Sequence, residues 1–167
     1  MPNSEVSYAQ LENLFARRRS VRWYQDKLVS RELIYKSVRL AATAPSACNR
    51  QPYQFYICDS KDRVVEIAKC AGGTPGWATG IPCIAVIVGD LSCYASEQDR
   101  HAIYVDGSLA AMQLMLAFET LGISSCPINW PDIDRAEKKL SKILGLEVYE
   151  RPVMLLSFGY ALVEGGI

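Results

Sequence analysis

The sequence predicts a single domain mixing helices and strands in the order α-α-β-α-β-α-β-α-β. Three observations predict it. The chain opens on two segments with helical spacing of apolar residues. Short β-branched runs then alternate with further helical segments. The last strand-like run, "PVMLLSFGY", closes the pattern at residues 152–160. The 167 residues suffice for one well-filled core and are too few for two comfortable ones. No internal repeat or linker divides them, so residues 1–167 read as one domain.

Ser7 to Arg17 reads as the first helix, with Leu11, Leu14 and Phe15 on one face. Ser30 is placed to cap the second, whose apolar positions are Leu33, Ile34, Val38, Leu40 and Ala41. This helix must end near Ala44, because Pro45 disfavours helical geometry in the residue before it. Gln54 to Cys58 reads as a strand and Asp62 to Cys70 as a third helix. "AGGTPGWATGIP", residues 71–82, is a loop. "CIAVIVG", residues 83–89, is a strand apolar enough to be covered on both faces.

Gln98 to Leu121 reads as the longest helix. Its half "LAAMQLMLAF" is apolar on nearly every side, as expected of a helix buried all round. Two readings fit: a central core helix, or a helix packed partly against a second copy of the chain. Gly122 ends it, and "ISSCPI" follows as a strand. Asp132 to Leu144 is a polar-faced helix capped by Asp132 or Asp134 and closed by Gly145.

Eighteen basic residues balance eighteen acidic ones, so no global field argues for nucleic acid or an anionic membrane. The longest apolar run, Leu109 to Phe118, falls short of the ~20 residues a membrane span needs. Six cysteines form no Cys-x-x-Cys pair, and with one histidine, His101, no metal site is expected. The polar opening Met1 to Gln10 does not read as a secretory signal. Reduced, mostly buried cysteines and a cytoplasmic location are therefore expected.

Three segments have the residue types of a binding site. "RRRSVR", residues 17–22, sets four arginines and a serine in six positions. Arginine forks match phosphate oxygens, and a serine hydroxyl adds a donor. Cations at a helix C-terminus can also serve its free carbonyls, but four with a serine exceed that need. "ATAPSACNRQPYQF", residues 42–55, offers Ser46, Asn49 and Gln51 from a loop restrained by Pro45 and Pro52. Amides there can meet the edge of a heterocycle; they can equally serve turn and cap geometry. "CPINWP", residues 126–131, ends a strand in a proline-bracketed turn with Asn129 and Trp130. Its backbone N–H groups can face an electron-rich atom, or Trp130 can simply cover the core. No obvious cysteine or serine nucleophile motif lies near His101, and phosphate-loop and dinucleotide-binding glycine motifs are absent. No side chain is expected as catalytic acid or base, so a cofactor would carry any chemistry.

Taken in order, these segments resemble the nitroreductase family of FMN-dependent oxidoreductases. "RRSVR", "APSACNRQPYQF" and "LGISSCPINWPDI" carry the resemblance. "YVDGSLAAMQLMLAFETLGI" is similar to the family's long helix, with Asp106 near its start, and "RPVMLLSFGY" to its last core strand. The resemblance implies an α+β fold: a mostly antiparallel central sheet flanked by helices, with the long helix at a dimer interface. It implies a homodimer with FMN between the subunits. It also implies alternating electron transfer from NADH or NADPH to a small organic acceptor such as a nitroaromatic or quinone. By position, Arg18, Arg19, Ser20 and Arg22 would meet the FMN phosphate, ribityl chain and ring edge. Pro45, Ser46, Ala47, Asn49 and Gln51 would come from the other subunit. Pro127, Ile128, Asn129 and Trp130 would line the flavin ring. Two departures stand out. Many members carry an acidic residue and a glycine where this chain has Asn129 and Trp130. Many also continue into a basic C-terminal segment where this chain has "ALVEGGI". Both leave a non-catalytic FMN-binding or dimeric interaction protein as the alternative.

Overall fold

The computed structural model describes residues 4–162. The end of the "ALVEGGI" segment and the first three residues of the polar opening lie outside the described residues. The elements are α1 (Tyr8–Arg17), α2 (Arg31–Ala41), β1 (Tyr53–Cys58), α3 (Lys61–Ala68), β2 (Cys83–Asp90), α4 (Ala102–Thr120), β3 (Ser124–Asn129), α5 (Asp134–Leu144) and β4 (Glu150–Gly159). The expected order therefore holds, and the fold is α+β. The strands form one sheet in the order β1-β2-β4-β3, with every neighbouring pair antiparallel.

β2 is central, and its side chains alternate between two cores. Cys83, Ala85 and Ile87 meet Ile34 of α2, Ala111, Leu114 and Phe118 of α4, and Phe158. Ile84, Val86 and Val88 meet Val64 and Ile67 of α3 and Leu140 of α5. This gives three layers, with helices on both faces of the sheet. A strand covered on both sides must be apolar throughout, which is why "CIAVIVG" shows no alternation. β4 lies beside it, with a register shift between Ile87 and Val88. The shift falls beside Pro152, which has no N–H to give the ladder.

Helix α4 lies close on the sheet. Phe118 stacks on Phe158 with ring centroids 4.7 Å apart. Gly89 faces Ile103, and a Cβ on Gly89 would stand 2.6 Å from the Ile103 Cβ. The local signals of the sequence act largely as expected. Ser7 forms a capping box with Gln10 and Ser30 accepts from the Leu33 N–H. Gly145 closes α5 in the left-handed conformation at φ 71°.

Four expectations need correction. Residues 97–99 form a separate short 3-10 turn, so α4 starts at Ala102 rather than Gln98. Neither Asp132 nor Asp134 caps α5; Ile133 stands at the cap without a side-chain bond. Asp134 lies inside the first turn, pairs with Lys138 at 2.8 Å, and favours the helix dipole there. The cysteines divide evenly rather than being mostly buried: Cys70, Cys83 and Cys126 are buried, and Cys48 is exposed. Finally, one chain does not bury α4 all round. Val105, Leu109 and Met112 follow one another at helical spacing and are exposed. Helix α1 buries no residue at all, and Tyr8, Leu11 and Phe15 lie open along it. Of the two readings of this helix, burial within one chain therefore accounts for only part of its apolar surface.

The Gly89–Ile103 contact yields a direct check. Gly89→Ala is expected to lower unfolding stability by about 1–3 kcal/mol, the usual cost of overpacking. Urea denaturation monitored by circular dichroism would measure it.

Candidate active site

Past α1 the chain runs extended along the outer edge of β3. Ser20 bridges Ser125, and the Val21 N–H donates to the Ser125 carbonyl at 3.1 Å. Tyr24 pins the end of this segment. Its ring is buried, and its hydroxyl lies 2.5 Å from the Val21 carbonyl and 2.9 Å from Ser157 Oγ. Burial pushes the Tyr24 phenol well above its ordinary range, so it stays neutral.

This mooring fixes where the arginines lie. Arg17 pairs with Glu119 of α4 at 3.3 Å, which accounts for one cation at the helix end. Among the described residues, Arg18, Arg19 and Arg22 pair with no carboxylate. The Arg19 guanidinium reaches only the Arg18 carbonyl. Helix capping therefore does not use up the cluster. Burial pushes the Cys126 thiol up, while Arg22, Ser20 and Arg18 pull it the other way. Ser20, with Arg18 and Arg22 two residues to either side, lies at the bridge to Ser125 on this edge of β3.

The strand itself contributes backbone. Because the Ser125 carbonyl faces outward, alternation turns Pro127 and Asn129 outward too. Pro127 has no N–H, so Asn129 supplies the outward donor at this end. Pro127 and Asn129 are exposed, whereas the Ile128 side chain is buried in the core. Its backbone pairs with Leu155 of β4, so neither part of Ile128 faces outward and its neighbour Asn129 presents the outward backbone. Trp130 packs against the same core, and its buried indole N–H has no partner. Its ring also walls a cavity of about 350 Å³, shared with Arg100, His101, Tyr104, Asp132 and Arg151. His101 is exposed at the mouth of this cavity, away from any thiol or hydroxyl nucleophile partner among the described hydrogen bonds.

The loop between α2 and β1 is built differently. Cys48, Asn49 and Gln51 all take positive φ, at 54°, 53° and 49°. Each left-handed non-glycine residue costs roughly 1–2 kcal/mol; asparagine tolerates it best. A buried carboxylate holds this loop. Asp106 Oδ2, on α4, accepts from the Ser46 hydroxyl at 2.7 Å and the Ala47 N–H at 2.9 Å. The Tyr94 hydroxyl donates to the same oxygen at 3.3 Å. Ser46 Oγ in turn accepts from the Gln51 N–H at 2.7 Å. The Gln51 side chain donates to the Ala42 carbonyl at the end of α2, so its amide donor is engaged. Asn49 is exposed, and its carboxamide makes no hydrogen bond among the described residues. Pro45 and Ala47 are exposed beside it, with Ser46 half-buried.

The first and third segments share one edge of the sheet. The second does not join them within one chain. Its anchor Asp106 and the Arg17 partner Glu119 are thirteen residues apart on α4, about 20 Å at 1.5 Å per residue. Asp106 itself was visible in the sequence only as a landmark of the resemblance. A physical signal was present: it is the single charge between Ile103 and Phe118, and a buried charge requires partners.

The description "Nitroreductase family" matches residues 15–75 and 68–160. The chain belongs to the nitroreductase family. It is similar to the provisionally named NAD(P)H nitroreductase YdgI of Bacillus subtilis, 27% identical over 89% of this chain and 87% of that one. A provisionally named NADH dehydrogenase/NAD(P)H nitroreductase of Methanothermobacter thermautotrophicus is 26% identical over 98% of this chain and 84% of that one. Among solved structures, an FMN-dependent nitroreductase from Clostridium difficile superposes with a TM-score of 0.79. It is 25% identical and the match covers 91% of this chain and 88% of that one. The nitroreductase fold is thus matched along nearly the whole chain, including all three candidate segments.

Tyr94 offers a test of the loop anchor. Burial first, then the Asp106 carboxylate, pushes its phenol up to about 12. An unfolded tyrosine titrates near 10. The folded state therefore holds this proton longer, and the associated stability is complete below pH ~10 and lost as pH rises through about 12. Subtracting the ultraviolet phenolate titration of Tyr94→Phe from that of the native protein should leave a step near 12. A step near the ordinary tyrosine value would mean that the phenol does not face Asp106.

Proposed function

We propose that this nitroreductase-family chain is an FMN-dependent oxidoreductase that takes electrons from NADH or NADPH. It passes them to a small organic acceptor, a nitroaromatic, quinone or related metabolite, by alternating turnover. One observation carries this reading. Among the described residues, Arg18, Arg19 and Arg22 pair with no carboxylate, and they flank Ser20, which bridges to the sheet edge that leads to Pro127 and Trp130. A phosphate, a polyol chain and a polar ring edge need those groups in that succession. The fit to FMN is good: guanidiniums for the dianion, an outward Asn129 N–H for an acceptor atom, and a free Asn49 carboxamide for a ring edge. When bound, the flavin supplies reversible two-electron chemistry that no side chain here provides.

The protein's own residues hold and orient. Arg18, Arg19, Ser20 and Arg22 neutralise and grip the phosphate end. The strand end fixes the ring through backbone groups and bounds it with Trp130. Pro45, Ser46, Ala47, Asn49 and Gln51 come from a second copy of the chain, because within one chain the loop's anchor Asp106 and the Arg17 partner Glu119 lie about 20 Å apart along α4. The exposed apolar stripes of α1 and α4 support the same homodimer. Free thiols on every cysteine agree with a cytoplasmic, reducing environment. Among the described residues no helix is long and apolar enough to cross a membrane.

The absorbance spectrum of the purified protein with FMN, before and after NADH and then NADPH without oxygen, tests the reading. Bound flavin that bleaches with either nicotinamide is expected. Bound flavin that neither reduces would leave a non-catalytic FMN-binding protein, and no bound flavin would overturn the reading. Sedimentation should give twice the 18.6 kDa chain mass; a flavin-loaded monomer would remove the shared site. Arg18→Ala combined with Arg22→Ala should weaken FMN at least a hundredfold, each lost charge-assisted bond costing ~1.5–3 kcal/mol. The melting temperature of the flavin-free protein should change little, and calorimetry on the same samples would show it.

A further inference from the structure

We propose that Asp106 is a positioning residue, whose buried carboxylate sets the loop at 45–51 in the geometry that makes it a ligand wall. The proposal rests on the flavin reading above for its ligand. Its structural half stands independently.

The side chain is 3% exposed, so it does not serve as a free surface charge. Its bonds are concentrated. A single oxygen, Oδ2, receives the Ser46 hydroxyl, the Ala47 N–H and the Tyr94 hydroxyl. Two of these come from the loop, sixty residues away in sequence. The third ties in the 91–94 segment, where Arg50 also lies against Tyr94, 5.3 Å from the ring centroid, and donates to the Cys93 carbonyl. Ser46 transmits the anchor onward, since its oxygen accepts from the Gln51 N–H. The two anchored ends thus bracket Cys48 and Asn49, both at positive φ. Left alone, residues of these types would leave the left-handed region for the more populated ones. Held at both ends, they cannot relax one at a time.

The consequence reaches the free carboxamide of Asn49. This amide is exposed and, among the described residues, unengaged, and its direction follows from backbone angles held between the Asp106-anchored ends of the loop. Asp106 itself has no open path to a ligand. Its effect on binding is therefore indirect, and geometry should transmit it.

Three variants separate this from a merely structural role. Asp106→Asn keeps a carbonyl oxygen that can accept from the same donors, without the charge. Asp106→Ala removes the anchor. Ser46→Ala removes one leg of it and serves where Asp106→Ala does not fold. Two readouts are taken on each: the FMN dissociation constant by fluorescence quenching, and the tryptic cleavage rate after Arg50 in flavin-free protein.

Both readouts should follow one order, native protein, then Asp106→Asn, then Asp106→Ala. The alanine variant should bind FMN at least tenfold more weakly and be cut after Arg50 at least fivefold faster. Cleavage after Arg63 in α3 should stay unchanged. Ser46→Ala should speed cleavage after Arg50 in the same direction. Unchanged cleavage after Arg50 in the variants would overturn the proposal, as would equal acceleration at Arg63, which signals global loosening. Loosened cleavage with native FMN affinity would overturn the link to binding. If the native protein binds no FMN, the flavin reading fails, while the cleavage order still decides whether Asp106 sets the loop.

Discussion

The fold depends on the complete burial of β2. A strand with Cys83 to Val88 covered on both faces requires a helical layer on each side. That demand places α3 and α5 on one face and α2 and α4 on the other. It also places α4 across the sheet so closely that Gly89 is needed under Ile103. The candidate site residues then lie at the margins: the outer edge of β3, the two ends of α4 and the loops that meet them. The candidate site occupies those margins because the interior leaves no room for it.

The two ends of α4 are used in contrasting ways. Near its start, Asp106 gathers donors from a loop whose backbone is conformationally costly. Near its end, Glu119 takes one arginine and leaves the next ones unpaired. A charge buried in an apolar helix is costly unless its bonds are good. Here hydroxyl and backbone donors supply them at 2.7 and 2.9 Å.

Much of this was legible in the sequence, for reasons that vary by element. Ser7, Ser30 and Gly145 act locally, so their roles were readable without a fold. The β2 run was readable because double burial removes alternation. The start of α4 was not, since residues 97–101 have helical composition and only the tertiary turn at 97–99 breaks them. The α5 cap was missed because two aspartates near a helix start offer the dipole as much as a cap. Leu11 and Phe15 share one helix face as the spacing says, but spacing does not say whether that face is buried, and both are exposed. Among the site segments, the arginines and the strand-end turn were visible by composition. Their convergence depends on Ser20 bridging Ser125, a contact between positions more than a hundred residues apart. The Gln51 amide suited either a ligand edge or the end of a helix, and its donor serves the helix end at Ala42.

Pro127 has a role beyond shaping its turn. An edge strand with a full row of outward N–H and C=O groups invites another strand to pair with it, and so invites aggregation. On β3 the Ser20–Val21 segment occupies the start of the row, and Pro127 deletes the donor in the middle. The outward donor that remains at this end is the Asn129 N–H, beside the carbonyls of Pro127 and Asn129. A passing polypeptide strand finds too few rungs to grip, while a small molecule needing one donor finds it unclaimed. The missing hydrogen thus breaks the ladder that a second strand would need.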